Sequence, residues 1–268
     1  MKLLSLKTAL LCFFLGCFLG CREQSDKTSN ESKTWVFIMA GQSNMAGRGV
    51  VEPQDTVTNP RILTIDSLGN VIKAKEPLHF YEPSRVGLDC GLSFAKTLLS
   101  ELPGNDTIMI IPTAVGGSAM SQWLGDSLYR NVKLLSNFKE KVAIGRQHGE
   151  IKAILWHQGE SDANERSIEA YPSKIPQLLS TFRSIVQNDS LPVLMGELGS
   201  YSNNNDYWQM VNRAIHEYAA SDKNVSVIST QDLIHKGDTI HFNSQGQREI
   251  GKRFAEGYLN LTKSASGG

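Results

Sequence analysis

The chain lacks an excess of charge of either sign. Its 268 residues include 27 Lys and Arg and 27 Asp and Glu. A protein without a positive field has no general attraction for a polyanion, so we predict no nucleic-acid partner. With 40% hydrophobic residues the chain has enough apolar side chains for a substantial core.

Motifs for metal and nucleotide binding are also missing. No Cys-x-x-Cys pair and no His-Glu-x-x-His motif is present, and no Gly-Lys-Ser/Thr follows a glycine turn. The sequence therefore predicts neither a metal nor a cofactor.

Long hydrophobic runs are absent except at the start of the chain. Two lysines precede an uncharged stretch, Ala9 to Gly20, which is too short to cross about 30 Å of hydrocarbon as a helix. Residues 1–20 are typical of a cleaved signal peptide. The small residue before Cys21 resembles the lipobox of bacterial lipoproteins, with Cys17 as a competing match. We expect an exported bacterial lipoprotein, held at a membrane surface in the periplasm or at the cell surface by lipid on Cys21.

The remaining chain divides into three parts. Residues 22–33 have no apolar side chain, so residues 21–33 are predicted to form a flexible tether. Residues 34–262 are predicted to form one catalytic domain, and 263–268 a disordered tail. After cleavage only Cys90 would remain unmodified, so no internal disulfide is expected.

Short apolar runs alternate with longer amphipathic segments through the domain. The pattern predicts an α/β fold with a parallel sheet of about five strands and helices on both faces. The predicted strands are Trp35–Ala40, Thr107–Ile111, Ile151–Trp156, Pro192–Met195 and Val225–Ile228. The predicted helices are Leu92–Leu102, Leu128–Gln147, Ile168–Gln187, Asp206–Ala220 and Ser244–Leu261, the last with Ser244 and Gln247 as a capping box. Arg61–Ile65 and Val71–Lys75 are predicted to form a hairpin.

Ligands bind beyond the carboxyl ends of parallel strands, so the residues directly after each apolar run are the candidates for a site. The first run leads into Gly41-Gln42-Ser43-Asn44-Met45, where Ser43 is either an exposed nucleophile or a helix cap. The second leads into Gly116-Gly117, whose amides suit an oxyanion or simply a tight turn.

Two further segments carry polar side chains. His157-Gln158-Gly159-Glu160-Ser161-Asp162 follows the third strand, and this density indicates a lined site. Asp238-x-x-His241 precedes the last helix. A carboxylate three residues before a histidine can orient the imidazole as a general base, or it can stabilise the start of the helix. His157 is the strongest rival to His241 for the role of base.

Taken in order, these motifs resemble those of the SGNH (GDSL-like) hydrolases, most closely the sialate O-acetylesterase and acetylxylan esterase branch, carbohydrate esterase family six. The resemblance implies a three-layer flavodoxin-like fold. It implies Ser43 as nucleophile, His241 as base and Asp238 as the orienting acid, with Glu160 as an alternative acid. The oxyanion hole would comprise the Ser43 amide, an amide of Gly116 or Gly117, and the Gln158 side chain.

The implied reaction is removal of O-acetyl groups from sialic acid, xylan or another glycan through an acyl-enzyme. Further candidates for substrate contacts are Gln42, Asn44, His157 and Trp123, the last equally interpretable as core. Two other interpretations remain: a carbohydrate-binding lipoprotein without activity, and a lipase or thioesterase with the same triad.

Overall fold

A computed structural model describes residues 32–266, with side chains through residue 264. The predicted signal peptide, the lipidation site Cys21 and nearly all of the tether lie outside the described residues. Within the described range, none of the helices combines the length and apolar character needed to cross a membrane.

A seven-stranded sheet forms the centre of the domain. Along the chain its strands are β1 (Thr34–Gly41), β2 (Ile62–Ile65), β3 (Val71–Lys73), β4 (Thr107–Pro112), β7 (Glu150–His157), β8 (Val193–Gly196) and β9 (Val225–Ile228), with a separate two-stranded hairpin of β5 (Leu128–Tyr129) and β6 (Val132–Lys133). The order across the large sheet is β3-β2-β4-β1-β7-β8-β9. All neighbours pair in parallel except β2 and β3, so the predicted hairpin forms one edge of the sheet.

Helices cover both faces of this sheet, which confirms the predicted α/β fold. They are α1 (Ser43–Ala46), α2 (Gly91–Leu99), α3 (Met120–Leu124), α4 (Leu134–His148), α5 (Tyr171–Val186), α6 (Asn205–Ser221) and α7 (Ser244–Ser266). One core lies between the sheet and α3 to α6, and the other between the sheet and α1, α2 and α7.

Strand β1 contributes to both cores because successive side chains of a strand point to opposite faces. Val36 and Ile38 enter one core, and Phe37 and Met39 enter the other. A central strand that is buried on both faces has a continuous apolar sequence. The position of β1 could therefore be predicted from its apolar run.

The predicted helix over Leu128–Gln147 is wrong in its first part. Residues 128–133 form the β5–β6 hairpin, and α4 begins only at Leu134. Arg130 and Asn131 at its tip have φ of 48° and 65°. Two successive residues with positive φ form the turn that suits a two-residue hairpin, but neither is glycine, so the usual signal is weak.

The last helix also departs from expectation at both ends. Its predicted capping box is absent, because Gln247 donates to the Asn44 carbonyl and Ser244 donates to the Val50 carbonyl. Asn243 caps the helix instead, since its Oδ1 accepts the Gly246 amide at 2.8 Å. The helix continues to Ser266, beyond its predicted end at Leu261.

Candidate active site

Ser43 lies at the carboxyl end of the central strand β1. Gly41 has φ of +135°, and a Cβ there would lie 2.1 Å from the His157 carbonyl oxygen, so only glycine fits this approach to β7. Gln42 then donates its amide to the same carbonyl at 2.9 Å, and α1 begins at Ser43. The chain thus turns sharply from strand to helix and places Ser43 on the edge where ligands bind.

Ser43, His241 and Asp238 are brought together in one hydrogen-bonded series. The Ser43 Oγ and the His241 Nε2 are 2.9 Å apart, although 198 positions separate them in the chain. The other ring nitrogen, Nδ1, lies 2.7 Å from Asp238 Oδ2. A carboxylate only accepts, so Nδ1 carries the proton and Nε2 is free to accept the serine hydroxyl hydrogen.

Asp238 also shapes the turn that carries the histidine. Its Oδ1 accepts the backbone amides of His241 at 2.8 Å and Ile240 at 3.0 Å. Partial burial opposes ionisation, but these amides and the imidazole outweigh it and lower the pKa of Asp238 to about 2. Asp238 is therefore ionised throughout the neutral range.

A second histidine–carboxylate pair lies elsewhere. His79 Nδ1 is 2.8 Å from Asp89 Oδ2, but both side chains are buried, and His79 Nε2 has no hydrogen-bond partner among the described residues. In the described part of the chain, no serine hydroxyl contacts the His79 imidazole. Among the described histidines, only His241 has a ring nitrogen within hydrogen-bond distance of a serine hydroxyl, as a general base requires.

Two backbone amides beside Ser43 are available to an oxyanion. Within residues 32–266, neither the Ser43 amide nor the Gly117 amide has a hydrogen-bond partner. Gly117 has φ of +80°, a left-handed backbone conformation that glycine adopts without strain. The Gly116 amide is not available, because it donates to Glu82 Oε2 at 2.6 Å. Of the two predicted glycines, the geometry therefore favours Gly117.

Glu82 also holds two arginines next to this loop. Arg48 Nη2 is 2.8 Å from one carboxylate oxygen and Arg130 Nη1 is 2.5 Å from the other. No pattern in the sequence indicates this cluster. Glu82 lies in a loop without a recognisable motif, and its partners lie 34 and 48 positions away.

The Gln158 side chain is not positioned as a free oxyanion donor. It is 0% exposed, and its Nε2 lies 2.6 Å from Asp162 Oδ2 and 3.2 Å from the Ser118 carbonyl oxygen. Both amide hydrogens are thus used inside the protein. The role implied by the resemblance would require one of these bonds to break.

The four residues considered for substrate contact are all buried and hydrogen-bonded inside the protein, so their role at the substrate stays a prediction. Trp123 is 0% exposed and donates its indole N–H to Ser118 Oγ at 2.9 Å, so it belongs to the core. His157 donates Nε2–H to the Glu197 carbonyl, and burial lowers its pKa. Gln42 accepts the Ser161 amide at 3.1 Å and so anchors the loop after β7.

Asn44 and Glu160 contact each other through their side chains. Asn44 Nδ2 donates to Glu160 Oε1 at 2.6 Å. Glu160 has no hydrogen bond to His241 among the described contacts, so Asp238 occupies the place of the orienting acid. For metals, no cluster of three His, Cys, Asp or Glu side chains suited to binding an ion occurs among the described residues.

Comparison with known proteins identifies the family. Residues 33–260 match the family model described as carbohydrate esterase, sialic acid-specific acetylesterase. The chain belongs to this family. This membership confirms the resemblance drawn from the motifs and the prediction of a carbohydrate O-acetylesterase.

Individual relatives agree with this assignment. The chain is 30% identical over 244 residues to a probable carbohydrate esterase of Arabidopsis thaliana, covering 84% of this chain and 90% of the relative. A solved Arabidopsis structure has a TM-score of 0.75 at 28% identity, covering 84% and 98% of the two chains. A carbohydrate acetylesterase from Xanthomonas citri has a TM-score of 0.65 at 16% identity over 85% of this chain and 57% of its own, and shows the fold alone.

Proposed function

We propose that Ser43, His241 and Asp238 form the catalytic triad of an esterase that removes O-acetyl groups from carbohydrate through an acyl-enzyme. The observation that carries the proposal is the 2.9 Å contact between Ser43 Oγ and His241 Nε2. A serine hydroxyl is a weak nucleophile at its own pKa, and an adjacent imidazole held in the accepting tautomer activates it.

In the first step Ser43 Oγ attacks the ester carbonyl carbon while its proton passes to His241 Nε2. The carbonyl oxygen becomes an oxyanion that faces the amides of Ser43 and Gly117. Collapse of the intermediate breaks the bond to the sugar oxygen, which takes the proton from His241. Asp238 stabilises the imidazolium that forms between these transfers.

In the second step water replaces the sugar alcohol. His241 removes a proton from the water, whose oxygen attacks the acetyl carbon of the acyl-enzyme. The bond to Ser43 Oγ then breaks, the serine recovers its proton from His241, and acetate leaves.

The surroundings of Gly117 favour a short acyl group and a polar alcohol. Glu82, Arg48 and Arg130 form a charged wall beside the double glycine, which would not accommodate a long hydrocarbon chain. This observation weighs against the lipase alternative. Among carbohydrates, the family description favours an O-acetylated sialic acid over acetylated xylan.

The esterase proposal is tested by acetate release from O-acetylated sialic acid, acetylated xylan and a long-chain ester. We expect the first to be hydrolysed fastest and Ser43→Ala to abolish turnover on p-nitrophenyl acetate while leaving the melting temperature close to wild type. Equal rates in wild type and Ser43→Ala would exclude Ser43 as the nucleophile.

We also propose that Cys21 carries a lipid anchor that places the enzyme at a membrane surface. The lipobox-like sequence before Cys21 supports this. Cys21→Ser should move the full chain from the membrane fraction to the soluble fraction. Unchanged membrane recovery would contradict anchoring at this cysteine.

A further inference from the structure

Asn44, the residue after the proposed nucleophile, contacts the backbone on both sides of His241. Its Nδ2 donates to the Ile240 carbonyl at 3.1 Å, and its Oδ1 accepts the Phe242 amide at 3.0 Å. These two bonds span 196 and 198 positions of the chain. Asn44 is buried, so the bonds are shielded from competing water.

Glu160 adds a third hydrogen bond to the Asn44 side-chain amide. The second hydrogen of Nδ2 goes to Glu160 Oε1 at 2.6 Å. The Phe242 N–H only donates and the Ile240 carbonyl only accepts, so the amide oxygen faces Phe242 and the amide nitrogen faces Ile240 and Glu160. The Glu160 side chain is 6% exposed, so this hydrogen bond is shielded from competing water.

Apart from the bonds to Asn44 and Ser43, the hydrogen bonds of the loop that carries His241 are made within the loop. Asp238 sets the orientation of the imidazole within the loop. The backbone bonds from Lys236 to the His241 carbonyl and from Asn243 to the Ile234 carbonyl tie the loop to itself. None of these bonds joins the loop to the Ser43 segment, whereas the Asn44 side chain does so directly. The other bond nearby, from Gln247 Nε2 to the Asn44 carbonyl, comes from α7 and not from the loop.

We propose that Asn44 and Glu160 are positioning residues that set the distance between the Ser43 hydroxyl and the His241 imidazole. Glu160 acts through Asn44, which accounts for a buried acid close to the triad that has no contact with the base. The inference rests on the proposed triad. It adds the contacts that keep the segment of Ser43 and the loop of His241 at a fixed separation.

The first test is Asn44→Ala, measured per folded molecule on p-nitrophenyl acetate. We expect kcat to fall by about 100-fold, the effect of a misplacement of about 1 Å at a reacting centre, with KM changed little. Asn212→Ala is the matched control, because Asn212 makes the same pair of bonds to the backbone amide and carbonyl of Leu198, at 2.8 and 2.9 Å. The control should lower the melting temperature but keep kcat near wild type.

A second test exchanges the donor and the acceptor of the Asn44–Glu160 hydrogen bond. Asn44→Asp loses both donors and sets two carboxylates against each other, so it should be as impaired as Asn44→Ala. Adding Glu160→Gln supplies a donor that can bind the new carboxylate. The double variant should regain about tenfold in kcat over Asn44→Asp, the equivalent of one hydrogen bond to a charged group.

Ser43→Ala separates failure of this inference from failure of the triad. If Ser43→Ala is inactive but Asn44→Ala and Asn212→Ala have the same kcat per folded molecule, the positioning role is overturned and the triad stands. If Asn44→Ala does not fold, the Asn44→Asp series decides the question. A double variant no better than Asn44→Asp would then overturn the proposal.

Discussion

The segment at the end of β7 and the loop before α7 share the spacing of a histidine and an acid but have opposite surroundings. Each contains a histidine and an acid three residues apart, His157 with Glu160 and Asp238 with His241. The His157 side chain is 1% exposed, whereas those of His241 and Asp238 are 20% and 36% exposed. A dense polar segment after a strand therefore indicates internal scaffolding as readily as it indicates a reactive site.

The hydrogen bonds of the two segments explain this difference. In the first, His157 and Gln158 bond to the Glu197 carbonyl and to Asp162, so their polar atoms hold neighbouring loops together. In the second, Asp238 orients an imidazole whose other nitrogen reaches the Ser43 hydroxyl. The buried segment links loops beside the site, and the accessible loop places the His241 imidazole within hydrogen-bond distance of Ser43, as the proposed triad requires.

The sharpest test of this contrast replaces each histidine in turn. His241→Ala should reduce kcat by about 10⁶-fold, because loss of the base leaves the serine unactivated. His157→Ala should lower the melting temperature and cost far less turnover. The measurement is kcat with a thermal unfolding curve for each variant, and a greater loss of turnover in His157→Ala would reverse the comparison.

Replacing the acids extends the same comparison. Asp238→Asn should reduce kcat by about 10⁴-fold, because an amide no longer holds the imidazole in the accepting tautomer. The Glu160→Gln variant keeps an acceptor for Asn44 and should lose much less. The two kcat values on p-nitrophenyl acetate decide between the acids, and equal losses would return Glu160 to candidacy as the orienting acid.

Trp123→Ala tests whether this indole belongs to the core or to the substrate site. We expect it to lower the free energy of unfolding by about 3–5 kcal/mol, because it removes a fully buried ring and a hydrogen bond to Ser118. KM for acetylated sugars should change little in the folded enzyme. A higher KM without loss of stability in urea unfolding would restore the predicted stacking role.

Among the variants of buried residues, Gln158→Ala has the smallest expected effect on stability. Asp162 loses one of its donors, so the free energy of unfolding should fall by about 1–3 kcal/mol. Turnover per folded enzyme should fall by less than the roughly 100- to 1000-fold expected when an oxyanion donor is removed. A loss of kcat in that larger range at normal stability would show that Gln158 turns toward the oxyanion during the reaction.

The central strands and the final helix were predictable because their patterns are local. Thr107 and Val225 begin strands where predicted, and Ile250, Phe254 and Tyr258 share the buried face of α7. The β5–β6 hairpin was missed, because a turn with two non-glycine residues at positive φ has no strong sequence signal.

The sequence by itself determined the α/β pattern, the glycine-bounded turn at Ser43 and the Asp238-x-x-His241 spacing, since each depends on residues close together in the chain. Only the tertiary structure decided which polar residues are accessible. In the folded chain Gln158 and Trp123 are buried, and the Gly116 amide donates to Glu82. Asn44 bonds to the backbone on both sides of His241. These outcomes depend on contacts between distant segments, and burial and hydrogen-bond partners at such distances are properties of the packed sheet and loops, not of local spacing.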